Sequence, residues 1–260
     1  ATSLWSDPGA AQCVSLTTVG SASTQNFDTL SNTAGSTTNN LTITGWVMTE
    51  TGGGARDNEQ YAVDTGASTT GDTYSYGAAG NTDRALGGLQ SGTLIPVIGA
   101  CYTNNTGSTL TGLAIAYTGE QWRAGNAATQ SLTFSYQIGS ALTNADARDT
   151  QPWIRFPALD FHSPNTNAPQ ALNGNAATNR MVFTNVMLAG VVVPAGQELF
   201  LRWFDADDTG FDHGLALDDL TVSFGQPVTN APAPPGTNAG FSLVTYNLKG
   251  NFASDWSTNA

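Results

Sequence analysis

Positive charge is what this sequence has least of. Lysine occurs once, at Lys249, and lysine plus arginine total 8 against 20 acidic residues, for a formal net charge of -12. A surface of that sign repels the phosphate backbone that supplies most non-specific nucleic-acid affinity, so direct DNA or RNA binding is not expected. Histidine is limited to His162 and His213 and cysteine to Cys13 and Cys101, which excludes a zinc site of the usual His/Cys type and a multi-disulfide scaffold. The two cysteines leave two readings open, one disulfide closing a long loop or a pair of buried thiols. No apolar run approaches the roughly 18 residues of a membrane span. No charged and then apolar leader opens the chain, which begins at Ala1 like a mature secreted protein.

Helical periodicity is absent as well. Apolar residues make up 40% and charged residues 11% of the chain, with Gly, Thr, Ser and Asn abundant, the composition of many short strands joined by polar turns. Strands are expected at Cys13–Val19, Asn26–Leu30, Leu41–Glu50, Glu59–Asp64, Asp72–Gly77 and Arg84–Leu89, then at Ser131–Ile138, Arg180–Leu188 and Gln197–Phe204, with a broken strand around Pro157. The most apolar segments before residue 200, Ser91–Asn104 and Leu110–Trp122, are separated by Asn105-Thr-Gly and read as a hairpin near the centre of a sheet. Together these predict an all-β, antiparallel β-sandwich over residues 13–225, preceded by a flexible leader over 1–12. Residues 226–240 (QPVTNAPAPPGTNAG) have the make-up of a Pro-rich linker, and 241–260 hold one short C-terminal strand, FSLVTYNL, of a following unit.

One stretch, LRWFDADDTGFDHGLALDDLTVSF from Leu201 to Phe224, reads as a hairpin of two strands around an acid-rich loop. Asp205, Asp207, Asp208, Asp212 and Asp218 crowd it, with Gly210 and Gly214 free to turn carbonyls toward a common point, a donor set suited to Ca2+. The expectation is a structural calcium involving Asp218 or Asp219; the spacing is not that of the twelve-residue helical calcium loop.

Arg84, Arg123 and Arg202 sit among apolar neighbours, with Glu120 beside Arg123. Because an unpaired buried guanidinium is costly, structural ion pairs with carboxylates are expected. Trp46, Trp122 and Trp203 read as core. Trp5, Trp153, Tyr74 and Tyr76 are the candidates for an exposed sugar-stacking platform. No nucleophile elbow, phosphate-cradling loop or selected pair of acids for glycoside cleavage is present.

The succession NFDTL, GDTYSYGAAGNTDRALGGL, IGACYTNNTGSTLTGLAIAYTGEQWR, LRWFD and DHGLALDDLTV resembles, along nearly all of residues 13–224, the amino-terminal β-sandwich that precedes bacterial extracellular nucleases of the endonuclease/exonuclease/phosphatase family. The tail LVTYNLKGNF resembles the opening strand of the catalytic domain, where Asn247 would lie near the catalytic metal; that domain's other catalytic residues have no counterpart before Ala260. GLALDD also resembles the last strand of jelly-roll carbohydrate-binding modules and of MAM-type adhesion domains, which implies a jelly-roll sandwich and makes Asp28 of NFDTL a partner for the calcium. The expected role is a non-catalytic accessory module of a secreted nuclease-like protein, binding a surface, a glycan or its own catalytic domain. The alternatives are a subunit of an extracellular fibre that self-associates by adding its terminal strands to a neighbour's sheet edge, and a calcium-dependent carbohydrate-binding module.

Overall fold

The structure, a computed structural model, describes residues 12–140, 152–206 and 208–225. The leader up to residue 11, the linker 226–240 and the segment 241–260 lie outside the described residues, as do Trp5, Asp207 and Asn247. The strands are β1 (Val14–Leu16), β2 (Ala22–Gln25), β3 (Trp46–Thr51), β4 (Ala62–Asp64), β5 (Asp72–Tyr76), β6 (Ala85–Leu89), β7 (Ile95–Asn104), β8 (Leu110–Ala124), β9 (Ser131–Gly139), β10 (Ile154–Arg155), β11 (Phe161–His162), β12 (Gln170–Ala171), β13 (Arg180–Val193), β14 (Glu198–Asp205) and β15 (Gly214–Gly225). The broken strand around Pro157 is β10, a single 3-10 turn and β11.

Two sheets face each other. The seven-stranded sheet runs β1-β7-β14-β9-β10, with β3 also on β7 and β11 also on β9. The eight-stranded sheet runs β12-β8-β15-β6-β5-β4, with β13 also on β8 and β2 also on β15. All pairings are antiparallel except the three-residue pairs β1–β7 and β4–β5. From β7 onward the long strands alternate between sheets: β7, β9 and β14 lie in the first, and β8, β13 and β15 in the second. That alternation is the jelly-roll type of winding.

Period-2 side-chain alternation builds the core. Leu199, Leu201 and Trp203 of β14 meet Leu113, Ile115 and Tyr117 of β8 and Leu215 and Leu217 of β15 in one buried cluster between the sheets. Trp203 stacks on Trp46 at 6.0 Å and is met edge-on by Tyr117 at 5.8 Å and Phe134 at 5.3 Å. Truncating a ring packed this way costs about 3–5 kcal/mol.

The alternate residues cover the outer faces. Tyr74, Tyr76, Trp122 and Ala216 form a second cluster outside the eight-stranded sheet, and Phe200 packs with Cys13 and Cys101 outside the other. Cys13 and Cys101 form a disulfide, with Cα atoms 4.7 Å apart, one position before the parallel pair Val14–Tyr102. It fastens β1, a strand too short to hold an edge on its own pairing. Where the edge of β7 passes from β1 to β3, Gly45 (φ 80°) lets the chain close in, since a Cβ there would meet Val14 Cγ2 at 2.6 Å.

Both expected hairpins are instead arches between sheets. β7 and β8 belong to different sheets, and so do β14 and β15. Two alternating apolar strands joined by a short polar loop look the same in sequence whether the second strand returns beside the first or crosses the core. NFDTL is a turn and not a strand: Leu30 N–H donates to the Phe27 carbonyl, and Phe27 has φ 55°.

Candidate functional site

The acids of the 205–219 stretch are spread over two sheets and a loop. Asp205 is buried at the end of β14, Asp208 and Asp212 stand in the arch, and Asp218 and Asp219 lie farther along β15. The aspartate pair is a β-bulge. Leu215 and Leu217 point into the core, as do Leu220, Val222 and Phe224, so one extra residue sits between 217 and 220. Asp219 takes it up with φ 51°, a conformation aspartate tolerates, and donates its N–H to Asp218 Oδ1 at 2.7 Å. At this bulge the partner on one side of β15 changes from β6 to β2. Asp28 is exposed and accepts from Asn26 Nδ2. Among the described residues, the one trio of metal-ligating side chains with donor atoms within 4.8 Å is Cys13, Cys101 and Glu198, whose cysteines are already joined to each other. Among the described residues, the expected carboxylates therefore do not converge three at a time.

Arg84 and Arg123 bond to backbone carbonyls where carboxylates were expected. Arg84, 1% exposed, donates to the carbonyls of Ser75, Ala78 and Asp64 and to Ser75 Oγ. Arg123 Nη1 donates to the Gly66 and Ala67 carbonyls at 3.2 and 3.4 Å. Arg202 lies 4.0 Å from the centre of the Trp153 ring and donates to Ser135 Oγ, and burial pulls its pKa down to about 10. Glu120, 2% exposed, accepts from the Trp122 indole at 2.9 Å. Burial pushes Glu120 up to about 7 and Asp218 up to about 8. Neither is among the residues that line the groove described below. Ion pairs among the described residues include Arg56–Asp72 at 3.1 Å and Arg155–Asp160 at 2.8 Å, residues the sequence did not single out.

The expected aromatic platform does not exist at Tyr74 and Tyr76, which are 2% and 0% exposed and pack with Trp122. Trp153 is half-buried against Arg202 and Phe200. Among the described residues, the strongly exposed ring is Phe211, at 74%.

Phe211 projects from the arch between β14 and β15, whose backbone is held firmly. Its carbonyl accepts from Asn126 Nδ2 at 2.7 Å and from Gln130 Nε2 at 3.2 Å. Gln130 Oε1 accepts from the His213 N–H. His213 is fully buried; its Nδ1 accepts from Gly125 N–H at 2.7 Å and its Nε2 faces the Ala128 carbonyl at 2.9 Å. Burial lowers the pKa of His213, which favours the neutral ring that this acceptor role requires. Gly125 allows the approach: a Cβ there would run into the carbonyls of Phe211 and Asp212.

Beside the ring a groove of about 510 Å³ opens at the rim of the sandwich. Leu89, Gln90, Ser91 and Gly92 line it from the end of β6 and the turn that follows, Arg123 and Gly125 from the end of β8, Gly210, Phe211 and Asp212 from the arch, with Thr69 and Pro169 closing it. That size falls in the range of about 300–1,000 Å³ usual for small-molecule sites. Its ionisable members are Arg123 and Asp212, one carboxylate with no histidine or second acid. The lining therefore offers stacking and hydrogen bonding, with no acid–base pair. Phe211 could have been noted in sequence as the one aromatic among acids and glycines; Gln90 carried no sequence signal.

No family model matches the chain, and no curated protein matches it. Solved structures do show a likeness. The K3 adhesin domain of Lys-gingipain from Porphyromonas gingivalis is 17% identical, with a TM-score of 0.37 over 69% of this chain and 91% of that one. A carbohydrate-binding module specific for non-crystalline cellulose is 11% identical, with a TM-score of 0.33 over 70% and 87%. The enzymatically active domain of tailspike protein 4 of bacteriophage CBA120 is 13% identical, with a TM-score of 0.31 over 76% and 21%. Likenesses this distant carry no argument about function.

Proposed function

We propose that residues 13–225 form a non-catalytic binding module of a secreted protein, and that its ligand is a glycan taken at the rim groove. The observation that carries this reading is Phe211, a ring 74% exposed on a backbone clamped by Asn126 and Gln130, standing over a groove with polar groups and no acid–base pair. A rigidly presented apolar ring next to hydrogen-bonding groups suits the alternately apolar and hydroxylated surfaces of a sugar. The Cys13–Cys101 disulfide supports an oxidising, extracellular location. No helix among the described residues is long and apolar enough to cross a membrane.

The association with a nuclease rests on the resemblance along residues 13–224 and on LVTYNLKGNF, and its test is phosphodiesterase activity, with magnesium, of this module joined to a catalytic domain of that family. The fibre alternative loses one donor strand, because CVSLTTV is not free: β1 is paired with β7 and cross-linked to it. Affinity electrophoresis through gels containing soluble polysaccharides tests the glycan reading. Retardation in at least one gel, abolished by Phe211→Ala, is expected. Migration unchanged in all of them would defeat it.

A further inference from the structure

Three glutamines are buried around the arch and the ends of β6 and β8, and they differ in one respect. Gln121, fully buried, spends both ends of its amide on Asn165, Oε1 accepting from the N–H and Nε2 donating to the carbonyl, each at 2.8 Å. Gln130, 1% exposed, likewise uses both ends, on His213 N–H and the Phe211 carbonyl. Gln90 is equally buried at 1%, yet neither its Oε1 nor its Nε2 has a hydrogen-bond partner in the protein. Gln90 is also the one of the three that lines the groove.

A buried amide left unpaired destabilises a fold, which is why the great majority are satisfied. An unpaired one within a binding groove is explained when the ligand supplies the partner. An amide offers one acceptor and two donors, a match for adjacent sugar hydroxyls, each of which both donates and accepts. Charge narrows the ligand further. The groove's single cation, Arg123, already directs Nη1 to the Gly66 and Ala67 carbonyls, while Asp212 lines the groove and Asp208 stands in the same arch. With a net charge of -12 over the whole chain, a uronate or sulfated sugar would be repelled.

We infer that Gln90 is a ligand-binding residue of this groove, its amide kept unpaired in the free protein to hydrogen-bond the hydroxyls of a neutral sugar unit stacked on Phe211. This rests on the glycan reading of the groove. It extends that reading by naming the recognising amide and the charge class of the ligand.

The test uses Gln90→Met, which keeps the volume and removes the amide, compared with the wild type by thermal denaturation and by affinity electrophoresis. The gels contain dextran, galactomannan or xyloglucan as neutral probes and polygalacturonate as the anionic one. The inference expects the variant to melt higher by about 3 °C or more while its affinity for the retarding neutral polysaccharide falls at least about tenfold. Polygalacturonate is expected to leave the wild type unretarded. A variant that melts lower or fails to fold makes Gln90 a structural residue and overturns the inference, as does unchanged affinity. Retardation by polygalacturonate equal to that by the neutral gels overturns the charge class. Wild-type protein retarded by none of the gels sinks the glycan reading itself, an outcome distinct from any result of the substitution.

Discussion

Removing the disulfide should be the most damaging change that leaves the core untouched. Cys13 and Cys101 are 88 positions apart in sequence. In the chain-entropy model, opening a loop of that size returns roughly 15 cal/mol/K to the unfolded state, or about 4–5 kcal/mol at 25 °C. For a domain of this size each kcal/mol corresponds to about 2–4 °C in Tm, so the double variant Cys13→Ala/Cys101→Ala is expected to melt about 10–15 °C lower. Alanine is chosen because both sites are buried beside Phe200 and would not accept a hydroxyl without a partner. The loss should start at one edge. The three-residue strand β1 has little to hold it besides the cross-link, so the Asn105 amide, which donates to the Leu16 carbonyl, should exchange its hydrogen early. Calorimetry and hydrogen exchange measure the two effects. A drop of less than about 1 kcal/mol, or unaltered protection at Asn105, would refute the reasoning, since it would mean that neither the unfolded chain nor β1 depends on the bond.

Stability should fall as pH rises from about 4 to 8.5. Burial, reinforced by neighbouring acids, raises the Asp72 carboxyl to about 8, Asp218 to about 8 and Glu120 to about 7. A raised folded pKa gives stability that is complete below the unfolded value and lost as pH climbs through the folded one, so Tm should be several degrees higher at pH 5 than at 8.5; a flat or rising profile would contradict this. Glu50 is fully buried and accepts from the N–H groups of Asn58, Glu59 and, in the opposite sheet, Thr73; Glu50→Ala should cost about 3–5 kcal/mol by urea denaturation. A loss under about 1 kcal/mol would show those amides satisfied elsewhere. Because no three carboxylates converge among the described residues, EGTA is expected to leave Tm within about 1 °C of its value in calcium. A fall of several degrees would establish the calcium site expected from Asp28 and the 205–219 acids.

How much of this was legible in sequence depended on the range of the interaction involved. β7 and β8 were readable because strand alternation is local, and their positions inside sheets followed from how apolar they are. The bulge was legible too: the alternation Leu215, Leu217 resumes out of step at Leu220, and only an extra residue reconciles the two halves. The acid pair drew attention to metal chemistry when its first use is backbone geometry. Which sheet a strand joins was not legible, because β7–β8 and β14–β15 are decided by packing across the whole core. Tyr74 and Tyr76 looked exposed because nothing local announces that Trp122 packs against them. Arg84 was expected to seek a carboxylate, but three carbonyls within reach satisfy a guanidinium equally well. The groove was the least legible, assembled from β6, β8 and the arch, which meet only after folding.

The central claim is that the rim groove under Phe211 is where this module meets a sugar. Backbone amide shifts of isotope-labelled protein, titrated with fragments of whichever polysaccharide retards it, test that most directly. Perturbations concentrated at residues 89–92, 123–125 and 210–212 and absent in Phe211→Ala are predicted; shifts centred on the exposed face of β13 around Val182 and Met187, or none at saturating sugar, would contradict it.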